Sequence, residues 1–241
     1  MIAVIIPALN EADNIAEVVE QLQAQADVDE VIVVDNGSTD DTAAVAQRAG
    51  AIVVSEPERG YGRACAAGSA AALERGASVL VYIDGDHSSR PDEIGSLLKP
   101  IIDDEADLVL GSRVLGTMED DAMGPHQQFG NWLTAALMRK LYRITVTDLG
   151  PYRAIRGDLL EALDMSEMTF GWPTEMMVKS ARRGSRLVEV PVTWQARRSG
   201  ESKISGTVKG TILAGWYLLS VTVKHARPLQ ALDPGNKRSE S

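Results

Sequence analysis

Two carboxylic acids separated by one glycine, Asp84 and Asp86, end the apolar run of "VYIDGDHSSRP". Like charges this close repel, and each resists ionising beside the other unless a cation or water sits between them. Their oxygens suit a hard divalent cation, Mg2+ or Mn2+. Mg2+ is commonly held by one or two carboxylates plus substrate phosphates, not in an all-protein cage. A D-x-D at a strand tip is therefore half a metal site, awaiting a diphosphate. The plain alternative is a solvated turn with a capping acid ahead of Pro91, and the pair alone does not decide. His87, the next residue, also has two readings: a further metal ligand, or a ring stacked at the helix start.

Other polar clusters follow apolar runs. Asp35 of "VDNGSTDDT" can accept hydrogen bonds from a base or ribose, while Thr39 or Asp40 caps the next helix. "ERGYGRACAAG" is an imperfect G-x-G-x-x-G: Cys65 takes the third glycine's place, and the motif follows the third strand. That argues against a dinucleotide-binding dehydrogenase, and no P-loop is present. Paired carboxylates also serve glycosidases, but there they flank one bond at roughly 5–9.5 Å. Two acids on one strand tip face a single ion better.

These residues need a scaffold. "AVIIP" (3–7), "EVIVVD" (30–35), "AIVVS" (51–55), "VLVYID" (79–84) and "DLVLGS" (107–112) are short, β-branched and almost wholly apolar. Such runs fit parallel strands covered on both faces. Helix-period stretches lie between them, two ending at Gly50 and Gly76 and a fourth opened by Pro91. The alternation predicts an α/β fold with a mostly parallel central sheet flanked by helices. Ligands bind such sheets beyond the carboxyl ends of the strands, where the polar clusters fall. Past residue 112 the pattern loosens into an acidic loop (116–128, containing His126), an amphipathic helix from Phe129, then "VTDLGPYRAIRGDLLEAL", a helix at 174–184, a strand at 186–194 and the basic loop "QARRSGESKISG".

The 241-residue chain has ordinary globular composition, 44% hydrophobic and 24% charged. Its net charge of −10 speaks against a nucleic-acid partner. One cysteine, Cys65, allows neither an internal disulfide nor a cysteine metal cluster and points to a reducing cytosol. The apolar start is too short for a secretory signal, and no run reaches the roughly 18 residues of a membrane span.

In order, "PALNEADNI", "VIVVDNGSTDDT", "ERGYGRACAAG", "YIDGDHSS", "LVLGSR", "TDLGPYRAIR", "TEMMVKSARRG" and "RRSGESK" resemble family 2 glycosyltransferases of the GT-A fold. Within the family the chain is most similar to the branch of dolichyl-phosphate mannose and glucose synthases and polyprenyl-phosphate glycosyltransferases. The likeness covers about residues 1–225. It implies inverting, metal-dependent hexose transfer from a nucleoside-diphosphate sugar to a polyprenyl or dolichyl phosphate. It places Pro7, Asn10, Glu11, Asp35 and Asp84 at the nucleotide, and Asp84 and Asp86 on the metal. Arg113 falls near a phosphate, Asp148 and Glu175 face the reaction centre, and Arg198, Ser202 and Lys203 form a closing loop. The chain departs from the branch in reading "DGDHSS" where D-A-D-L-Q-H is common, and in lacking C-terminal membrane spans.

The division expected is a GT-A domain over 1–205, a helix over 206–226 and a polar, disordered tail over 227–241. Residues 207–225, with Trp216, Tyr217, Lys209 and Lys224, read as an interfacial helix meeting the lipid acceptor; the other reading is a core helix. A cytoplasmic protein, peripheral on the membrane and with room for a homo-oligomer, follows. A lipid phosphate is already ionised, whereas a hydroxyl acceptor such as phosphoglycerate would need a base, Asp148 first and Glu175 second. A nucleotidyltransferase and a non-catalytic nucleotide-sugar sensor are the alternatives of other classes.

Overall fold

A computed structural model describes residues 1–119, 122–196 and 220–224. The first half alternates as its periodicities require: β1 (Ile2–Ala8), α1 (Ile15–Gln23), β2 (Glu30–Asp35), α2 (Thr42–Arg48), β3 (Ile52–Ser55), α3 (Tyr61–Glu74) and β4 (Val79–Tyr82). A 3₁₀ turn, Pro91–Glu93, leads into α4 (Ile94–Ile102). Then come β5 (Leu108–Met118), α5 (Pro125–Tyr142), β6 (Arg153–Arg156), α6 (Gly157–Leu163), α7 (Trp172–Arg183) and β7 (Leu187–Trp194).

The strands form one sheet in the order β3-β2-β1-β4-β6-β5-β7. Pairing is parallel from β3 to β4 and between β5 and β7, while β6 runs antiparallel to both its neighbours. This is the mixed α/β sheet of a GT-A fold.

Both sheet faces are apolar because both are covered. Val4 and Ile6 point to the layer of α1 and α4, through Ile15, Val18, Leu97 and Ile101. Ile5, between them, points to α3 and α7, through Cys65, Ala72, Met176 and Met177. Period-2 alternation is hidden in the sequence because each face has its own core.

Three boundaries differ from the sequence expectation. β4 stops at Tyr82, so Asp84 and Asp86 stand in the turn beyond the strand rather than at its last pleat. β5 continues to Met118, with an irregularity between Ser112 and Thr117 where it pairs with β7. α5 starts at Pro125, which puts the exposed His126 in its first turn and not in a loop.

Of the segment 207–225, only 220–224 is described; the basic loop beyond Ala196 and the tail lie outside the described residues. Residues 220–224 are helical, with Val221 and Thr222 buried and Val223 61% exposed. Tyr142 Oη donates to the carbonyl of Thr222, tying this turn to the end of α5. No helix among the described residues is long and apolar enough to cross a membrane.

Candidate active site

Because β1, β2, β3 and β4 are parallel neighbours, the loops after them share one end of the sheet. There Asn10 adopts a left-handed backbone (φ 53°), which asparagine tolerates better than most residues. Its Oδ1 accepts from Thr39 N at 2.7 Å, and its own N–H donates to Ser38 Oγ at 3.0 Å. The β1 and β2 loops are thereby stitched together. Asp35 turns the β2 loop by accepting from Ser38 N at 3.0 Å. Glu11 is buried beside them; its N–H donates to Thr42 Oγ1 at 2.8 Å, and its carboxylate accepts from Asn14 Nδ2 at 3.1 Å. The N-cap of α2 is Asp41 rather than the expected Thr39 or Asp40, and Asp40, one residue earlier, accepts from the N–H and hydroxyl of Thr42. Pro7 sits in β1 opposite Val34.

Past β4, Asp84 is half-buried and Asp86 buried. Asp86 Oδ1 accepts from Ser88 N at 2.9 Å and Ser88 Oγ at 2.6 Å, which fixes its rotamer. His87 has φ 63° and is buried, with Nε2 3.6 Å from the Glu17 carboxylate on α1. Its described contact is thus with α1. Among the described residues no three His, Cys, Asp or Glu side chains group as a metal cage. Two hard oxygen donors, with no third grouped beside them among the described residues, fit Mg2+ or Mn2+, which is commonly held by one or two carboxylates together with substrate phosphates and water.

The end of β7 is joined to this turn. Ser89 bridges to Trp194, and Gln195 N donates to Ser88 O at 2.9 Å. This described stretch of the chain ends just beyond, with Ala196 N donating to Glu119 at 2.8 Å. Arg198, Ser202 and Lys203 themselves lie outside the described residues.

Arg113 and Asp148 face each other across β5 and the turn before β6. Arg113 Nε and Nη2 each bond the Asp148 carboxylate at 2.7 Å, and the N–H groups of Arg113 and Leu149 add two more donors. Burial pushes the Asp148 carboxyl up, but the bonds and charge of Arg113 outweigh it, so it ionises below the usual carboxylate range. The guanidinium carbon of Arg113 also lies 4.8 Å over the Trp194 ring. Glu189 of β7 fastens the turn from beneath, accepting from Thr147 N and Asp148 N at 2.8 and 3.0 Å. Glu189 is half-buried beside Asp148, and the partial burial raises its own carboxyl.

Glu175, in the first turn of α7, is buried and accepts from Ser166 N, Ser166 Oγ and Glu167 N at 2.7–2.9 Å. Lys179 pairs with it at 3.0 Å. Burial again works to raise its carboxyl, and these donors reverse the shift. The loop it holds closes the N-terminus of α3: Gly62 N and Arg63 N both donate at 3.1 Å, to Thr169 O and Met168 O. A Cβ on Gly62 would stand 2.4 Å from Glu167 O. The glycines of "ERGYGRA" thus make room for backbone, and this helix start meets carbonyls rather than a phosphate.

Three contributors were missed in the sequence. Asn36 pins the β3–α3 loop through the carbonyls of Glu56 and Glu58 and the N–H of Gly60. Arg153, an arginine inside an apolar strand, is 1% exposed and donates to Pro173 O and Gly150 O. Trp194 supports Arg113. The odd residue in "YRAIR" was a readable signal; the other two depend on long-range pairing.

A crevice of strand tips, with a D-x-D on one side and a clamped arginine on the other, is the architecture of a nucleotide-sugar transferase. Residues 3–164 match the model of glycosyl transferase family 2, and the chain belongs to that family. An uncharacterised glycosyltransferase of Mycobacterium tuberculosis is 36% identical over 217 residues, covering 88% of this chain and 94% of that protein. The undecaprenyl-phosphate mannosyltransferase of Micrococcus luteus is 33% identical over 216 residues, covering 86% and 88%. Among solved structures, glucosyl-3-phosphoglycerate synthase of M. tuberculosis, crystallised with Mn2+, UDP and glucosyl-3-phosphoglycerate, superposes with a TM-score of 0.76. That pair is 23% identical, covers 94% of this chain and 80% of the other, and shares the fold.

Proposed function

We propose that this glycosyltransferase moves a hexose from a nucleoside-diphosphate sugar onto a polyprenyl phosphate, with inversion and with Mg2+ or Mn2+ on the diphosphate. The observation that carries the reading is the setting of Arg113. Its guanidinium is held by Asp148 and Trp194, and the residues after it, Val114 and Leu115, are 57% and 52% exposed. Phe129 and Trp132 of α5, whose ring centroids lie 5.9 Å apart, are 61% and 57% exposed. Their neighbour Asn131 bonds Leu149 N beside Asp148. A fixed cation flanked by bare apolar side chains suits a phosphate that carries a hydrocarbon chain.

The state of the acids favours the same acceptor. A hydroxyl acceptor needs a base, yet Asp148 and Glu175 each accept several hydrogen bonds and ionise below their usual range. A lipid phosphate attacks without losing a proton. In this reading Asp148 positions Arg113 and Glu175 shapes the loop at α3. Asn10, Glu11, Asp35 and Pro7 form the nucleotide wall, and Asp84 and Asp86 hold the cation. His87, turned toward Glu17, stays outside the metal shell. Bound there, a divalent cation would offset the charge that develops on the leaving diphosphate. Arg198, Ser202 and Lys203 are assigned to phosphate closure on their residue types, a bidentate guanidinium and a mobile ammonium.

The solved relatives of this fold that act on phosphoglycerate support the hydroxyl alternative. Thermal denaturation with a panel of nucleotide sugars tests the donor half. A matching donor at 100 times its dissociation constant adds about 2.7 kcal/mol of apparent stability. We expect that gain with Mn2+ and its loss in EDTA or in Asp86→Asn. An equal gain in EDTA would remove the metal from the account.

A further inference from the structure

A cleft at the far end of α7 from Glu175 is unused by this chemistry. Asp164, Lys179, Arg182, Arg183 and Lys224 line it, around a volume of about 670 Å3. β6 runs from Arg153 beside Tyr82 to Arg156 beside Val79, so α6, whose end forms one wall, starts at the sheet edge opposite Asp84. α7 has 12 residues, and its two ends stand about 18 Å apart. The cleft opens away from Asp84 and Asp86, and Lys179, which pairs with Glu175, is the residue it shares with the α7 side of the candidate site.

Four cations face one carboxylate there, in a chain whose net charge is −10. Basic residues in a last helical turn offset the helix dipole, which accounts for part of this. Lys179 pairs with Glu175 and donates to the Asp164 carbonyl, and Arg183 donates to the Ala162 carbonyl. Those local bonds do not explain Lys224, which arrives from a third element. Burial of Val221 and Thr222, and the bond from Tyr142, hold its turn against α5. Two elements, α7 and the 220–224 turn, thus bring their cations to one concavity that the end of α6 closes with Asp164.

Apolar side chains are exposed nearby. Leu141 and Val223, each next to a partner in the Tyr142–Thr222 bond, are both exposed, and the last turn of α5 adds Arg139 and Lys140. In sequence, Trp216 and Tyr217 precede this turn, residue types that favour membrane interfaces. Cations meeting phosphates beside exposed apolar tips is the pattern of an anionic bilayer surface. A soluble phosphate would need the cations but not the exposed Leu141 and Val223 near them.

We propose that this cleft takes the phosphate of an anionic phospholipid headgroup and docks this end of the protein on an acidic membrane. The claim goes beyond the transfer reaction and holds whichever acceptor is used. Flotation tests it, with phosphatidylcholine vesicles compared against vesicles that also contain phosphatidylglycerol. We expect the wild type to float only with phosphatidylglycerol, and less as salt rises. Each cation removed should weaken partitioning about fivefold, so Arg182→Gln/Arg183→Gln/Lys224→Gln should lose on the order of a hundredfold. Circular dichroism and donor-induced stabilisation should be unchanged. Arg182→Gln and Lys224→Gln alone, which spare the Arg183 bond, should each lose their share. A wild type that ignores phosphatidylglycerol, or variants that float as it does, would overturn the proposal. So would a wild type that is stabilised by inorganic phosphate or self-associates through these cations without binding vesicles.

Discussion

The two walls of the crevice are held by different forces. On the β1–β4 wall, Asp35 and Asp86 accept from backbone amides and a serine hydroxyl two or three residues onward. On the β5–β7 wall, Asp148 meets Arg113 across 35 residues, while Glu175, in α7, takes the ammonium of Lys179 as well as the neutral donors of the Ser166–Glu167 loop. Neutral donors fix a carboxylate without cancelling its charge, whereas a guanidinium or ammonium does both. The first wall is suited to presenting acids to a cation; the second spends its acids on placing Arg113 and a loop. The same residue type therefore does opposite work on the two sides.

Breaking the first wall should have the largest effect. Asp86→Asn keeps the bond from Ser88 N but removes the charge, and transfer should fall about 10²–10³-fold with the fold intact. Near-normal turnover at limiting Mn2+ would show that the acids do not hold a metal.

Next is the clamp. Arg113→Ala leaves Asp148 charged and buried, a loss of roughly 3–5 kcal/mol in stability. Asp148→Asn should raise the acceptor KM more than it lowers kcat. In a double-mutant cycle the two changes should couple by about 0.5–3 kcal/mol. Additive effects, with Asp148→Asn acting on kcat alone through a pH-dependent step, would make Asp148 a base after all.

The smallest effect lies in the acid limb of stability. A carboxyl that ionises more readily folded than unfolded adds stability above its ordinary range, lost as pH falls through its folded value. Asp148 and Glu175 are of this kind. Glu189, raised by burial, has the opposite sign: its contribution is present at low pH and lost as pH rises through its folded value. Asp148→Asn should therefore flatten the fall in stability below about pH 4, the usual aspartate range. An unchanged acid limb would mean that the Arg113 pair adds nothing.

The same contrast explains what the sequence could tell. In the first wall the strands are local and their loops short, so "VDNGSTDDT" and "YIDGDHSS" marked the β2 and β4 tips to within two residues. In the second, an antiparallel β6 inserts between β4 and β5, and a bulged β5 outruns its apolar core. Neither leaves a period to count. Asp148 and Glu175 were picked out by residue type and resemblance, but their bonds to Arg113 and to the Ser166–Glu167 loop depend on pairing across the chain. The exposed Phe129 and Trp132 were read as part of an amphipathic helix, because periodicity shows that a helix has two faces and not which one is covered.

One assay bears most directly on the central claim. The purified protein is given radiolabelled nucleotide sugars, a polyprenyl phosphate and Mn2+, and the products are partitioned between water and organic solvent. The account predicts label in the organic phase that needs both metal and lipid phosphate and is lost in Asp86→Asn. Label that stays in water on phosphoglycerate, or that reaches the lipid equally well in EDTA, would contradict it.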